Sequence, residues 1–407
     1  MKLPKGWQVL SMGEIGEVQA GRQVSPHFTN GKLRPYLRVA NVQDGWIDFR
    51  DVKTMHFTDK EATIYELAEG DILLSEGQSL ELVGRPAMYR GEVDGCCFQN
   101  TLVRLRTKQH SSDFVLHLCK HLFTRGAFQR IAKKTTSIAH LGVSRFAELS
   151  AFVPPLPEQR KIADILTTWD EALTQLDALI EAQERRKKAL MQGLLSRSSA
   201  HSKTSHAQHR LGDVMERVTR RNTVGSKNVL TISAQGGLVN QQEYFNRSVA
   251  AEDLSGYYLL RQGEFAYNRS SAKGYPFGAL KRLDNYDQGV VSTLYLCFRL
   301  RDGVQASSAY LCHYFEGGYL NSGLRMIAKE GARAHGLLNV TADEFFDLDV
   351  FLPTLHEQQK IAAILDTTDQ QLTLLRSQRT ALDQQKRGLM QRLLTGKLRV
   401  KTNQPTS

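Results

Sequence analysis

The segment PLPEQRKIADILTTWDEALTQLDALIEAQERRKKALMQGLLS, residues 155–196, occurs again as TLHEQQKIAAILDTTDQQLTLLRSQRTALDQQKRGLMQRLLT, residues 354–395. After a shift of 199 positions, residues 158–196 align with residues 357–395 without a gap, and 19 of 39 positions are identical. Such agreement indicates an internal duplication, and a duplication determines how the remainder of the chain is divided.

Each copy carries a seam of residues at the alternating spacing of three and four that is typical of a coiled-coil helix. The predicted seam positions are Ile162, Leu166, Trp169, Leu173, Leu176, Ile180, Leu190, Leu194, Ile361, Leu365, Leu372, Leu375, Leu382, Leu389 and Leu393. Each helix could line only the core of its own domain. Two matching seams in one chain more simply bury each other, so we predict an antiparallel pair. In the predicted register Trp169 lies near Lys386, and Lys187 lies near Thr368.

The composition indicates a globular protein with an anionic partner. Hydrophobic residues make up 41% of the 407 residues and charged residues 23%, which is ordinary for a folded chain. The net charge of +11 favours nucleic acid as the partner, with a membrane surface second. No apolar run is long enough for a signal peptide or a membrane span, so we expect a cytoplasmic protein.

The cysteines do not form a recognisable disulfide framework. Their number is five, which is odd, and a reducing cytoplasm suits them. His117 and His121 stand four residues apart around Cys119 and could in principle bind zinc. No CxxC pair accompanies them, so we predict packed side chains and no metal site.

The same offset recurs outside the two long helices and divides the chain into modules. Residues 12–15 (MGEI) correspond to residues 211–214 (LGDV), and the offset returns to 199 at Leu149 and Leu348. We therefore predict a first module at 1–153, a first helix at 154–196, and a polar linker at 197–210. A second module follows at 211–352, then a second helix at 353–396 and a tail at 397–407.

Each module has the pattern of an α+β domain rather than of a βαβ fold. Strand-like runs at residues 36–42, 72–75, 229–233 and 290–300 are separated by Gly, Asp and Asn turns. Helical segments are expected at residues 112–133 and 307–329. The predicted fold class is α+β, with two tandem modules separated by two long helices that form an antiparallel coiled coil.

Motifs for catalysis are largely missing from the sequence. There is no GxxxxGK[ST] phosphate loop, no GxSxG and no HExxH motif. The Asn/Asp-Pro-Pro-aromatic motif, with which an amino-methyltransferase holds a flipped base, is also missing; Pro154 and Pro155 lack its flanking residues. A paired-carboxylate nuclease centre is not identifiable. We therefore expect a chain without its own catalytic centre.

Polar and basic side chains in predicted loops are candidates for DNA contacts, because such groups bond base edges and phosphates. In the first module they are Arg22, Gln23, Arg38, Asn41, Gln43, Gln78, Ser79, Arg85, Lys133, Lys134, Thr135 and Thr136. In the second they are Arg220, Arg221, Asn222, Gln235, Asn268, Arg269, Ser270, Lys273, Tyr275, Lys329, Arg333 and His335. Each could instead be an ordinary exposed loop residue. Their occurrence at equivalent places in two repeats favours an interface.

The repeated PLPEQRKIADIL and LHEQQKIAAIL segments, each opening a long heptad helix, resemble the conserved regions of type I restriction–modification specificity subunits. GDILLSEGQSLELVGRPA and NRSSAKGYPFGALKRL are also similar to segments of that family. The resemblance covers essentially the whole chain. His356 stands where the first copy has Pro157, which is a small departure.

The resemblance implies two target-recognition domains that each read one half of a bipartite double-stranded DNA site. It implies that the conserved helices hold these domains apart. Two modification subunits would supply S-adenosylmethionine and adenine methylation, and restriction subunits would supply the ATP- and Mg-dependent motor and nuclease. The alternatives are a stand-alone two-module nucleic-acid-binding protein, the specificity portion of a single-chain restriction enzyme, and an unrecognised nuclease.

Overall fold

The computed structural model of the chain describes residues 3–25, 27, 29–135, 137–196, 206–233, 236–245, 253–271, 274–330 and 338–401. It divides into two compact units. Unit 1 comprises Met1–Asp177 with Ser377–Ser407, and unit 2 comprises Ala178–Arg376. Each unit therefore contains one module, the first part of the helix that follows that module, and the last part of the other long helix. Among the described residues, no helix combines the length and the apolar character that a membrane crossing requires.

The first module consists of short strands and helices and is followed by a helix of 40 residues. In chain order the elements are β1 (Gln8–Ser11), α1 (Met12–Ile15), β2 (Gly16–Ala20), β3 (Lys32–Leu37), β4 (Lys53–Phe57), α2 (Asp59–Tyr65), β5 (Ile72–Ser75), β6 (Gly77–Gln78), β7 (Pro86–Met88), β8 (Cys97–Phe98), β9 (Leu102–Thr107), α3 (Ser112–Thr124), α4 (Ala127–Ile131), β10 (Lys133–Lys134), β11 (Ala139–His140), α5 (Val143–Glu148), β12 (Ser150–Val153) and α6 (Leu156–Leu195).

The second module repeats this plan and ends in a second helix of 40 residues. Its elements are β13 (Ala207–Arg210), α7 (Leu211–Val214), β14 (Met215–Arg217), β15 (Leu230–Ser233), β16 (Gly237–Asn240), α8 (Gln241–Phe245), β17 (Tyr258–Arg261), β18 (Phe265–Asn268), β19 (Ala279–Arg282), β20 (Gln288–Val291), β21 (Leu296–Leu300), α9 (Ser308–Glu316), α10 (Asn321–Ile327), β22 (Lys329–Glu330), β23 (Leu338–Asn339), α11 (Ala342–Phe346), β24 (Asp349–Leu352) and α12 (Leu355–Leu394).

Strand pairing follows the repeat. β1 pairs antiparallel with β12, and β13 pairs antiparallel with β24 at the equivalent positions. Each module has a four-stranded antiparallel sheet, in the order β2-β9-β5-β7 in the first and β14-β21-β18-β19 in the second. A second sheet in unit 1 has the order β4-β3-β8, whereas unit 2 has the separate pairs β15-β16 and β17-β20. The mixed sheets and helices confirm the predicted α+β class.

Three predicted segments, at 112–133, 307–329 and 197–210, differ from the structure for reasons visible in the chain. The predicted helix at 112–133 is two helices, α3 and α4, because Gly126 adopts a positive φ of 70° between them. Gly318, with a φ of 73°, lies similarly between α9 and α10. The predicted linker at 197–210 is not a tether throughout, because Ala207–Arg210 forms strand β13. Residues 197–205 of that prediction lie outside the described residues.

The conserved glutamine of the repeated EQ pair attaches each long helix to its own module. In unit 1, Gln159 is buried; its Oε1 accepts a hydrogen bond from Ser111 N at 3.0 Å, and its Nε2 donates to Pro154 O at 2.8 Å. In unit 2, Gln358 Oε1 accepts from Ser307 N at 2.8 Å, and its Nε2 donates to Pro353 O at 2.9 Å. A buried amide that satisfies several backbone groups fixes the direction in which the helix leaves the module.

Within each unit, the two long-helix segments run antiparallel. In unit 1, α12 residue Lys386 pairs with Asp170 of α6, and Arg379 Nε lies 3.0 Å from Asp177 Oδ1. As the numbers fall along α12 they rise along α6, which defines the antiparallel direction. Asp170 is the residue next to Trp169, the partner predicted for Lys386.

Unit 2 contains the corresponding arrangement. Lys187 Nζ of α6 lies 2.5 Å from Asp369 Oδ1 of α12, next to the predicted partner Thr368. Further along, Gln183 Nε2 donates to Gln371 Oε1 at 2.6 Å. Every predicted seam residue of both helices is buried or half-buried, whereas most of the residues between the seam positions are exposed.

A histidine from each module lies against its own long helix. His117 Nε2 is 3.1 Å from Thr167 Oγ1, and its Nδ1 is 3.9 Å from Asp170 Oδ2. In unit 2, His313 Nε2 is 2.8 Å from Asp366 Oδ1, and its Nδ1 is 3.9 Å from Asp369. The two histidines therefore occupy matching positions, with a hydroxyl partner in one unit and a carboxylate partner in the other.

The two histidines and the cysteine of α3, for which packed side chains were predicted, form part of the core. His117, Cys119 and His121 are all buried. Burial lowers the pKa of His117 to about 3 and that of His121 to about 4, and burial raises the pKa of the Cys119 thiol to about 12. Two neutral imidazoles and a protonated thiol therefore pack in this core.

Candidate nucleic-acid interface

A small three-stranded sheet collects several of the predicted contact residues of the first module. Its order is β10-β11-β6, and β11 is the central strand. Ala139 stands opposite Lys134 on one side and Gln78 on the other, and His140 stands opposite Lys133 and Gly77. The structure thereby brings the predicted contact residue Gln78 into the same sheet as Lys133 and Lys134, which are distant from it in sequence. An antiparallel ribbon of this size fits the major groove of DNA.

Strands β10 and β11 form a hairpin, the first-module hairpin, which hydrogen bonds hold in one conformation at both ends. At its base, Arg145 Nε donates to Ile131 O at 2.7 Å, and Arg145 Nη2 donates to His140 O at 2.9 Å. At its tip, Thr135 N and Oγ1 both donate to Ile138 O. Lys133, Lys134 and Thr135 are exposed. The hairpin therefore presents two lysines on a braced ribbon.

The second module has a matching hairpin, in which β22 pairs with β23 and Lys329 stands opposite Asn339. Leu338 N donates to Arg269 O at 2.8 Å, which ties β23 to the end of β18. The Arg269 guanidinium donates to Val340 O at 2.9 Å and to Leu294 O at 2.9 Å and 3.1 Å. Arg269, predicted as a DNA contact, therefore braces the base of this hairpin.

Three of the predicted contact residues are internal. Arg22 is buried; its Nε donates to Glu61 Oε1 at 2.8 Å, and its guanidinium lies 4.8 Å from the Phe57 ring centroid. Asn41 and Asn222 are also buried, and their amides bond backbone atoms of their own loops. The prediction of exposed loop contacts at these positions is wrong, because each side chain satisfies buried polar groups.

Five further candidates are half-buried or engaged with neighbouring groups. Arg38 pairs with Asp51, Arg85 donates to Val42 O, and Arg220 Nη2 lies 3.0 Å from Glu264 Oε1. Arg221 donates to Gly256 O, with its guanidinium 4.9 Å from the Tyr258 ring centroid. Tyr275 Oη lies 3.0 Å from Glu316 Oε1. These contacts organise the loops, so the side chains are less suited to bind DNA than the exposed residues.

The remaining candidates fall into three groups. Gln23, Lys133, Lys134 and Thr135 are exposed, and Gln43, Gln78, Ser79, Asn268 and Ser270 are partly exposed. Thr136, Gln235, Lys273, Arg333 and His335 lie outside the described residues, as does the side chain of Lys329. The exposed set concentrates on the first-module hairpin and on the loop that begins at Gln23.

The structure adds two residues that sequence reasoning missed. His140 has its side chain 43% exposed, and its Nδ1 lies 3.1 Å from Glu76 Oε2. Trp46 is 54% exposed in a tight loop, where Gln43 N donates to Trp46 O at 2.9 Å. Strand register was needed to recognise His140. The exposed indole follows a predicted contact segment, but an isolated tryptophan in sequence is more often a core residue.

Comparison with known proteins supplies the context for this interface. A sequence model described as the type I restriction modification DNA specificity domain matches residues 4–184. The type I restriction enzyme MjaVIII specificity subunit of Methanocaldococcus jannaschii is 24% identical over 431 residues, which span 98% of this chain and 95% of that protein.

Solved structures share the fold. A chain from a structure of a type I R-M system superposes with a TM-score of 0.58 at 16% identity, over 98% of this chain and 100% of that chain. The S subunit of the type I restriction-modification system from M. genitalium gives a TM-score of 0.56 at 15% identity, over 97% and 98% of the two chains. The type I specificity-domain model thus matches the first module and the start of α6, the second module repeats the plan of the first, and the relative that aligns over nearly the whole chain is a type I specificity subunit.

Proposed function

We propose that this chain is the DNA specificity subunit of a type I restriction–modification complex, in which each module reads one half of a bipartite site. The observation that carries this proposal is the repeated hairpin, braced by arginine in both modules and bearing lysines on the exposed ribbon of the first. Two readers with different side chains on one plan suit a target with two different halves.

The basic balance of the chain supports DNA as the ligand. A net charge of +11 favours association with phosphates, and such association weakens at higher salt because the release of counterions from the DNA then becomes less favourable. Phosphate contacts position a protein on the duplex, whereas contacts to base edges carry the sequence information. The exposed lysines of the hairpin suit the first task, and the partly exposed polar residues suit the second.

The experiment is a selection from a random duplex library with the purified full-length chain, followed by sequencing of the bound DNA. The expected result is a motif of two conserved blocks separated by unspecified bases. A single uninterrupted block, or no enrichment over the input library, would contradict the proposal. The same selection repeated at raised salt should lose affinity while it keeps the motif.

We further propose that the length of the long helices sets the number of bases between the half-sites. At about 1.5 Å per residue, a four-residue insertion adds about 6 Å to a helix and keeps the heptad nearly in phase. Insertion after Thr174 or after Thr373 should lengthen the recognised spacer by one or two base pairs and leave both half-sites unchanged. Selection of the original spacing by the insertion variants would refute this part.

The partners are proposed to be two modification subunits and, for cleavage, restriction subunits. The paired helix segments support this, because each unit contains the start of one long helix beside the end of the other and thus offers an equivalent surface. S-adenosylmethionine, ATP and Mg²⁺ would then bind to the partners. Native mass spectrometry with a co-expressed modification subunit should give two copies per chain, and a single copy would oppose the paired-surface argument.

The chain itself is proposed to be non-catalytic. Its sequence contains neither a GxxxxGK[ST] phosphate loop nor the Asn/Asp-Pro-Pro-aromatic motif that holds a flipped base. With labelled S-adenosylmethionine and selected DNA, the purified chain alone should transfer no methyl group, and addition of modification subunits should restore transfer. Methyl transfer that co-purifies with the chain alone, and is unaffected by a modification-subunit inhibitor, would overturn this proposal.

A further inference from the structure

We propose that His140 in the first module and Asn339 in the second are base-reading residues at one equivalent position of the repeated hairpin. This inference rests on the proposed function, because it assigns side chains to the sequence readout that the two modules would perform. The juxtaposition that carries it is a polar residue on β11 or β23, directly opposite a lysine of β10 or β22.

The two positions correspond by register and by their place in the chain. His140 stands opposite Lys133, and Asn339 stands opposite Lys329. Each lies two residues before the N-cap of the following helix, which is Gly142 for α5 and Thr341 for α11. The residue on either side of each is buried, whereas His140 is half-exposed and Asn339 is exposed.

Both repeats have a lysine at this position, Lys133 or Lys329, whereas the residue opposite differs, His140 or Asn339. This difference suits a division between phosphate binding and base reading. A lysine reaches phosphates without regard to sequence, so both modules can use the same residue type. Base edges differ between half-sites, so a base-reading position should differ between modules. Asparagine is suited to adenine, where its amide can bond N6 and N7, and histidine offers a ring nitrogen to a donor or acceptor of another base.

The position within the ribbon also suits base readout. β11 is the central strand of its three-stranded sheet, and the exposed Lys133 and Lys134 lie on the neighbouring edge strand β10. The antiparallel hairpin formed by β10 and β11 is the kind of ribbon that the major groove admits, and base edges are accessible there. Because His140 and Lys133 stand opposite each other on this hairpin, both side chains would reach the same stretch of DNA.

The imidazole of His140 is already oriented. Its Nδ1 lies 3.1 Å from Glu76 Oε2. Because a carboxylate oxygen accepts, Nδ1–H donates a hydrogen bond to Glu76. Nε2 is then the nitrogen that remains for a base. Gly77 stands opposite His140 in the third strand and lies beside the ring, where a Cβ would make an ordinary van der Waals contact of 3.5 Å with His140 Cε1. Glu76 is accordingly a positioning residue, because it acts through His140.

The backbone that carries these residues is fixed before DNA arrives. His140 O accepts from Arg145 Nη2 at 2.9 Å, and Leu141 N donates to Glu76 O at 2.9 Å. In the second module, Val340 O accepts from Arg269 Nη1 at 2.9 Å. Both modules thus place an arginine bond on the carbonyl of the proposed reading residue or of its immediate neighbour. Such preorganisation reduces the entropy lost when the hairpin binds.

The test uses the full-length chain and selection from a random duplex library, with wild type, His140→Ala and Asn339→Ala compared at equal concentration. His140→Ala should reduce discrimination by about tenfold at one or two base positions of one half-site and leave the other half-site unchanged. Asn339→Ala should do the converse. The exposed His209→Ala on β13 is the matched control and should leave the whole motif unchanged.

Two further variants separate base reading from general effects. Glu76→Gln should weaken discrimination at the same base positions as His140→Ala, and Lys133→Ala should lower affinity for all sequences without changing the motif. If wild type selects a bipartite motif but His140→Ala and Asn339→Ala leave it intact or cause only a uniform loss, this inference is wrong. If wild type itself selects no bipartite motif, the proposed function fails instead.

Discussion

Lys187 lies 2.5 Å from Asp369, Nζ to Oδ1, and joins the two long-helix segments of unit 2. The repeat-related residues Lys386 and Asp170 form the same pair in unit 1. Lys187 and Lys386 lie three residues before the seam residues Leu190 and Leu389 and so continue the seam spacing. The pairs therefore favour one axial register over the slipped ones that an all-leucine seam would permit. The polar residues within the apolar seams thus help to set the axial register of the paired helix segments.

Removal of one member of such a pair should loosen the helix segment that carries it. Lys386 is 12% exposed and Asp170 is 30% exposed, so Lys386→Met leaves this partly buried carboxylate with Lys120 as its remaining cationic partner. We expect a loss of about 2 kcal/mol in the local stability of residues 377–394. Hydrogen exchange of these amides should accelerate by roughly 30-fold. Arg185→Ala breaks only an exposed pair with Glu181 and serves as the control.

Stability of unit 1 should fall as the pH is lowered from about 6.5 toward 4. Burial lowers the pKa of His117 to about 3 and that of His121 to about 4, against a reference of 6.5. In this window the unfolded chain binds protons that the folded chain does not, so acidification favours unfolding. The slope should approach about 1.4 kcal/mol per pH unit for each histidine.

Asp170 provides the internal check on that pH window. Burial acts to raise its pKa, but Lys120 and Lys386 lower it overall below 3.8. Its contribution is therefore present above about pH 4 and is lost only at lower pH. The pH dependence of urea midpoints from pH 7 to 4.5 should fall to about half its slope in His117→Gln, because His121 remains, and should keep its slope in His209→Gln. An equal slope in all three proteins would contradict the assignment.

The sequence predicted the helices well because their determinant is a periodicity visible in one dimension. Spacing alone identified Ile162 and Leu365, and both are fully buried. Loop contacts were predicted less well, because exposure of an arginine depends on partners far away in sequence. Arg22 forms an ion pair with Glu61, and no local sequence pattern predicts that pair.

The first-module hairpin also contains contacts that could not be predicted from the sequence. His140 and Gly77 become neighbours only through the register of β11 with β6, and the intervening chain gives no sign of that pairing. The sequence does show which segments carry lysines and amides. Which of them share a surface required three dimensions.

Arg22 and Lys133 should respond differently to substitution by alanine, although both were predicted as DNA contacts. Arg22→Ala removes a buried cation and leaves Glu61 without this partner, so we expect a loss of about 2–3 kcal/mol in stability. Lys133→Ala should leave stability within about 0.5 kcal/mol, since the residue is exposed. It should weaken DNA binding uniformly and reduce the salt slope by about one phosphate contact. If Lys133→Ala lowered stability and Arg22→Ala lowered only DNA binding, the proposed DNA-binding surface would be wrong.

Exchange of the second module should succeed at one boundary and fail at another. Strand β13 pairs along its whole length with β24, from Ala207 opposite Leu352 to Arg210 opposite Asp349. Arg210 Nη1 also lies 3.1 Å from Asp349 Oδ1. A replacement of residues 207–352 by the module of a relative therefore transfers both strands together, whereas a replacement of residues 211–352 joins a native β13 to a foreign β24.

We expect the 207–352 exchange to retain the unfolding temperature within a few degrees and to change one half-site only, because the first module is untouched. The 211–352 exchange should unfold at a lower temperature, since mismatched strands lose side-chain packing at this edge. Thermal unfolding and library selection on both proteins measure the two effects. If both exchanges were equally stable, β13 would not belong to the second module, and if either altered both half-sites, the modules would not read DNA independently.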